Sequence, residues 1–289
     1  LVPIAAAAIL LALPPAAGAT YPGSDGRLVW KQSGKTAPEV RTGRLDGRGH
    51  RKVGEIADFV TGADAQSGWA RWSPSGRRLL WFDIAGDGVV VESAGGRRLQ
   101  EVVRDLRDPD WSPDGRELIG YDERGVLRRV GMDGRLIREL PFPDGTGTAL
   151  WPRWSPTGEW IVVHEQEPRE AHISRIRPDG SGFERLTDGW RPSWSPDGRH
   201  IAFERSPDVY TMRADGSGIR RVFRATVRET AITGVAWSPD GRRIAIATDQ
   251  YENESRRPYR LLTVPAGGGK PTVHRRSTLT FRGLDWQAR

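Results

Sequence analysis

The stretch His164-Glu165-Gln166-Glu167-Pro168-Arg169-Glu170-Ala171-His172 brings two imidazoles and three carboxylates into one short segment. Imidazole nitrogen and carboxylate oxygen together form a donor set for a divalent metal, which would serve sugar-lyase or lactonase chemistry as a Lewis acid. The ligand candidates are His164, Glu165 and His172. Their spacing matches no recognised metal motif, and polar loops of this composition are ordinarily solvated. The expectation is therefore a chain without a cofactor. No Gly-x-Ser-x-Gly elbow, His-Glu-x-x-His, P-loop or dinucleotide fingerprint occurs, so no catalytic residue is assigned.

A second set of side chains is charged and regularly placed. Asp285, Arg71, Asp110 and Arg153 each stand immediately before a Trp, and acid and base alternate among them. Two readings fit: a charged channel for a small ligand, or ion pairing between neighbouring strands, the usual state of buried charge. Trp69, Trp151 and Trp190 lie a few residues upstream of three repeated Trp residues. Placed just before a strand, such aromatics suit stacking on sugar rings or gripping peptide side chains, and they equally suit plain packing. Tyr251, in the mixed-charge stretch from Asp249 to Pro258, is a further candidate for contact with a partner protein.

The elements that must position these residues are repeats. Trp-Ser-Pro-Ser-Gly begins at Trp72, and Trp-Ser-Pro-Asp-Gly or a close variant recurs at Trp111, Trp154, Trp194 and Trp237, at steps of 39 to 43 residues. Pro fixes φ in the turn and Gly is free to take φ > 0. A β-rich run follows each turn, as in Leu79-Leu80-Trp81-Phe82 or Trp160-Ile161-Val162-Val163. A second strand then ends in a tight turn such as Asp133-Gly134, Asp179-Gly180 or Asp215-Gly216, a hairpin signal, before a closing strand. Four short antiparallel strands per roughly forty residues describe a propeller blade.

Five complete motifs predict five inner strands, and Gly283-Leu284-Asp285-Trp286 predicts a sixth. The N-terminal strands around Leu28, Val40 and Lys52 lack an inner partner. The economical arrangement has the C-terminal strand complete the N-terminal blade, which closes a ring and removes exposed sheet edges. The fold class is all-β, a six-bladed β-propeller of four-stranded antiparallel blades over residues 20–289.

The Trp-Ser-Pro-Asp-Gly-Arg-x-Ile-Ala-Phe pattern, with its later Asp-Gly-Ser-Gly, resembles the TolB-like (WD40-like) propeller repeat. The opening Tyr21-Pro22-Gly23-Ser24-Asp25-Gly26-Arg27 is also similar to the start of exported TolB-like propellers. The resemblance covers the propeller, with no room here for the mixed α/β domain that precedes it in TolB. It implies the fold strongly and the function weakly, because function lives in sites carried by folds.

Residues 1–19 are apolar or small and uncharged, ending Pro14-Pro15-Ala16-Ala17-Gly18-Ala19, the pattern of a secretory signal peptide cleaved after Ala19. The expected location is extracytoplasmic, secreted or in the cell envelope, with no stable membrane span after cleavage. The chain has no Cys, so it is not a lipoprotein and holds its blades by packing alone. Net charge is +7, from 44 basic and 37 acidic side chains. The basic side chains are nearly all Arg and recur across blades instead of forming one patch, which favours solvated strands over an anion-binding face. An exported chain without a nucleic-acid module is expected to bind no nucleic acid. The expected function is a monomeric, non-catalytic binding or scaffolding module for a protein or cell-wall glycan, held on the variable-loop face. The alternative is a metal-dependent lyase or lactonase acting on a carbohydrate or lactone.

Overall fold

A computed structural model describes residues 26–33, 39–45, 49–55, 70–83, 88–95, 97–140, 148–167, 170–225, 230–250, 259–277 and 280–286. Those residues form six four-stranded antiparallel sheets and no helix. The first blade orders its strands Thr280–Trp286, Leu28–Ser33, Glu39–Gly43, Arg51–Glu55, so the C-terminal strand is its inner strand. Trp286 pairs with Leu28 and Asp285 with Val29. The ring closes as the repeat count requires. The remaining blades follow in chain order, with inner strands Arg71–Trp72, Arg107–Trp111, Thr148–Trp154, Trp190–Trp194 and Thr230–Trp237. The signal-like residues 1–19 lie outside the described residues.

Each blade is covered on both faces by its neighbours, which is why its second strand is a continuous apolar run and not an alternating one. Ile161, Val162 and Val163 are fully buried, as are Ile244, Ala245, Ile246 and Ala247. Outermost strands face water: Leu136–Leu140 is exposed along all but its last residue.

The repeated Trp residues are the joints. Trp111 packs with Leu80 and Val89 of the preceding blade, Trp154 with Ile119 and Leu127, and Trp237 with Ala202 and Val209. Trp194 is fully buried against Val162 and Ile173 and donates its Nε1–H to the Arg153 carbonyl at 3.0 Å. A buried indole removes 150–250 Å² from water, roughly 5 kcal/mol of gross stabilisation at each joint.

The turns explain the rest of the motif. Ser112 Oγ donates to Asp114 Oδ1 at 2.6 Å and accepts from Glu117 N at 2.9 Å, while Arg116 N donates to the same Asp oxygen at 3.0 Å. Gly115, at φ 69°, supplies the left-handed residue that closes this turn. Ser75 and Thr157 replace the Asp with a hydroxyl 3.2 Å from the turn Ser, so the turn survives. The proline has a second role. A Cβ on Gly115 would lie 3.6 Å from Pro74 Cγ, and one on Gly158 3.6 Å from Pro113 Cγ. Each turn therefore rests on the proline of the blade before it.

Candidate functional site

Two tiers of side chains surround the propeller axis. The deeper tier is the residue immediately before each repeated Trp. Asp285, Arg71, Asp110 and Arg153 are all buried, and Arg71, Arg153 and Asp285 line a cavity of about 20 Å³, room for roughly one water. The acids reach the backbone of the following blade: Asp285 Oδ2 accepts from Trp72 N at 2.7 Å, and Asp110 Oδ2 from Trp154 N at 2.9 Å. The arginines reach carbonyls, Arg71 to Ala70 and Leu284 at 3.3 Å and Arg153 to Pro152 at 2.6 Å. Alternation of acid and base thus places carboxylates on N–H groups and guanidinium groups on C=O groups around the axis. Burial pushes the Asp285 carboxyl up to about 6 against the pull of Arg71, and it raises Asp110 as well. Burial and the like charge of Arg71 bring Arg153 down to about 10. A cavity this small admits an ion or a water, not an organic ligand.

The upper tier lies three residues before the repeated Trp, where the inner strands enter the channel. Asp108 (φ 44°), Trp151 (φ 46°) and Arg191 (φ 51°) occupy this position in the third, fourth and fifth blades, each with a left-handed backbone unusual outside glycine. The strand register slips at the same place, between Leu150 and Arg153 and between Trp190 and Ser193. These are β-bulges, which re-aim a side chain. Gly234 and Gly283 hold the corresponding places in the sixth and first blades. Trp69 holds it in the second and lies outside the described residues, as does Tyr251.

Trp151 therefore lies inside the inner strand Thr148–Trp154, and Trp190 is the first residue of Trp190–Trp194. Neither precedes its strand as the spacing predicts, because the bulge lets the strand continue upstream past the motif. The two are also not equivalent: Trp151 is the bulge residue, while Trp190 stands one place before it.

Each bulge residue meets a different partner from the second strand of its own blade. Asp108 Oδ2 accepts from the Tyr121 hydroxyl at 2.9 Å; its Oδ1 is buried without a hydrogen-bond partner, and burial raises its pKa. Trp151 stacks on His164, centroids 4.8 Å apart and planes 4° from parallel. Arg191 Nη1 donates to Glu204 Oε2 at 2.6 Å and to the Ile232 carbonyl of the next blade at 3.0 Å. The same guanidinium lies over Trp151 at 5.1 Å, and half-buried Trp190 meets His164 edge-on at 6.4 Å. Phenol–carboxylate, imidazole–indole and carboxylate–guanidinium couples thus share one backbone position in three successive blades. Asp108 and Trp151 are buried in these couples, whereas Trp190 and Arg191 are left part-exposed at the mouth.

No protein-family model matches the chain. An uncharacterised protein of Agrobacterium fabrum is 35% identical over 98 residues, which is 32% of this chain and 33% of that protein. The Tol-Pal system protein TolB of Zymomonas mobilis is 53% identical over 38 residues, 12% of this chain and 8% of its own length. The chain thus matches a third or less of the length of these curated relatives. TolB from Acinetobacter baumannii superposes with a TM-score of 0.72 at 15% identity, covering 91% of this chain and 67% of that one. The fold is that of the TolB-like propellers. A protein of Agrobacterium tumefaciens provisionally called TolB gives 0.62 at 18% identity, over 91% of this chain and 99% of that one. An oligogalacturonate lyase of Vibrio parahaemolyticus gives 0.53 at 12% identity, over 88% and 74%.

In this TolB-like propeller the His- and Glu-rich segment divides. His164 is buried in the Trp151 stack, and burial beside Arg191 brings its pKa down to about 3, so it is a neutral imidazole. Glu165, next along the strand, faces the other way; its carboxylate accepts from Ser174 Oγ at 2.8 Å and from Arg185 at 2.6 and 2.9 Å. His172 lies instead with Asp188 (3.1 Å) and Glu170 (3.3 Å). Its nearest metal-like grouping is Glu167, Glu170 and His172, whose ligand atoms lie within 4.8 Å of one another. Strand alternation separates His164 from Glu165, a separation visible in principle from their adjacency. Asp108, Tyr121, Arg191 and Glu204 are mouth residues that sequence reasoning missed; the signal available was their fixed offset from the repeated Trp.

Proposed function

We propose that this chain is an exported, non-catalytic binding module that holds a protein or cell-envelope glycan at the mouth of its propeller channel. The observation that carries the reading is the tier of bulged positions. Three blades spend an unfavourable left-handed backbone on non-glycine residues and place a different functional group on each. Strain of this kind clusters at ligand sites. Trp190, half-buried beside the stack, is the residue best placed to meet a ligand ring or side chain. Residues 1–19 support export, and no helix among the described residues is long and apolar enough to cross a membrane.

Site-specific photo-crosslinking tests the proposal. A crosslinker at position 190 should capture envelope material that one at exposed Ile137, on an outermost strand, does not. Equal capture at both positions would remove the mouth as the site. The second reading, a metal-dependent lyase or lactonase, is favoured only by the Glu167–Glu170–His172 grouping and by the fold shared with an oligogalacturonate lyase. Stoichiometric metal lost on His172→Ala would move the assignment there.

A further inference from the structure

The opposite face of the disc carries a second concavity, independent of the mouth. The grooves between blades are closed there by long side chains that reach from one blade to the turn of the next. Gln100 Nε2 donates to the Met132 carbonyl at 2.8 Å, Arg129 Nη1 to Pro178 at 2.7 Å, and Arg175 Nη1 to Ala214 at 2.6 Å. Met132, Pro178 and Ala214 are the same place in successive blades, the residue before the Asp-Gly turn. Arg129 also lies over Trp154 at 5.4 Å and pairs with Glu117 at 2.6 Å; Arg175 lies over Trp160 at 4.2 Å and pairs with Glu184 at 2.7 Å. Each arginine arm is an intramolecular ligand: a planar cation lying over an indole, bridging two blades and neutralised by a carboxylate.

The groove between the fifth and sixth blades lacks this arm. Strand register puts Thr211, opposite Ala202, where Arg175 stands opposite Val162 and Arg129 opposite Ile119. Counting from the Asp-Gly turn puts Arg220 where Glu184 stands, and counting from the motif glycine puts His200 where Glu117 and Trp160 stand. Arm and counter-charge have both gone. What remains is an open cleft of about 600 Å³, lined by His200, Thr211, Arg213, Arg220, Trp237 and Ala266. That volume is in the range of small-molecule sites. Among the described residues no cation lies over the Trp237 ring, and its one aromatic neighbour is His200 at 6.4 Å.

The charge at one lining position has also reversed, from Glu184 to Arg220. Arg220 makes no hydrogen bond or ion pair among the described residues, and its guanidinium lies within 4 Å of where Gly267 and Gly268 would carry a Cβ. Arg213 is held by Ser217 Oγ at 3.3 Å. The acids on the rim, Asp197 and Asp240, each commit an oxygen to their turns, to Ser195 Oγ at 2.6 Å and to Ser238 Oγ at 2.5 Å. We infer that this cleft is a binding site for a small organic anion, its oxyanion taken by Arg220 and Arg213 and its flat body laid where the missing arm would cover Trp237. Guanidinium forks suit carboxylate and phosphate alike.

Titration calorimetry with phenyl phosphate, benzoate and inorganic phosphate tests the assignment on the folded chain and two variants. Thr211→Arg restores the arm seen in the two preceding grooves and should abolish binding, with a melting temperature no lower than that of the wild type. Arg220→Ala leaves the cleft open and should weaken the organic anions by about tenfold or more. Inorganic phosphate, which lacks a body, should bind more weakly than phenyl phosphate. Absence of saturable binding by either organic anion up to about 10 mM would overturn the proposal. So would equal affinity in wild type and Arg220→Ala, or retention of binding when position 211 carries Arg.

Discussion

The two ends of the inner strands obey different rules. At the turn end, Ser-Pro-Asp-Gly recurs with the same hydrogen bonds in blade after blade, and Gly115, Gly158, Gly198 and Gly241 each rest on the proline of the preceding blade. At the mouth end it is the distortion that recurs, while the residues change: Asp108, Trp151 and Arg191 share a left-handed bulge and little else. Constant residues on a constant backbone are what a turn needs to form. Changing residues on an equally constant, costly backbone are what a site needs, because the scaffold then aims whatever side chain it is given. The repeat therefore teaches most where it fails to repeat, and the open groove beside Thr211 makes the same point on the opposite face.

The comparison can be broken most forcefully at a joint. Trp194→Ala removes a fully buried indole and its bond to the Arg153 carbonyl, and should cost about 3–5 kcal/mol in denaturant unfolding. Trp190→Ala, four residues away and half-buried, should cost under about 1 kcal/mol by the same measurement while removing capture at the mouth. Similar losses for the two would erase the distinction between joint and mouth.

The axis offers a middle-sized test. Burial raises the folded Asp285 carboxyl to about 6 from its ordinary 3.8, so the folded form holds a proton more tightly than the unfolded chain does. The associated stability is fully present below the unfolded value and is lost as pH rises through about 6. Asp285→Asn retains an oxygen for Trp72 N and carries no charge. Its stability relative to wild type should rise between pH 4 and pH 7, by at most roughly 3 kcal/mol. A difference that stays flat across that interval would show that the Asp285 carboxyl is not held above its ordinary range.

The smallest tests change a backbone with a left-handed φ, at a turn and at the mouth. Gly198→Ala forces a side chain into φ 68° and to 3.2 Å from Thr157 Cγ2, which should cost about 1 kcal/mol or slightly more in thermal unfolding. Arg191→Gly relaxes the backbone at the mouth, yet it strips Glu204 of its cation in a buried place. It should be destabilising despite the relief of strain. A stabilised Arg191→Gly would mean the bulge is held for no partner.

The blade count, the closing strand and the turn chemistry were legible because they depend on short-range spacing: Pro at one turn position, Gly two places on, and an apolar run after them. The deeper tier was half legible. Position before the Trp located Asp285, Arg71, Asp110 and Arg153 around one axis, whereas their engagement with N–H and C=O groups of the inner strands is a matter of three-dimensional register. For the upper tier, Trp151 was picked out for its aromatic ring, while Asp108 and Arg191 passed as ordinary polar residues. A bulge is a slip between two strands and leaves no mark in the composition of either.

What the sequence determined by itself was the architecture, since forty-residue periodicity and turn residues act locally and identically in every copy. Only the tertiary structure decided which residues became a site. Trp151 meets His164 because a bulge turns it, and Thr211 leaves a cleft because a neighbouring blade offers a groove that no arm fills. Both depend on surfaces brought together from different strands or blades, and inter-strand register is fixed by packing the whole ring at once.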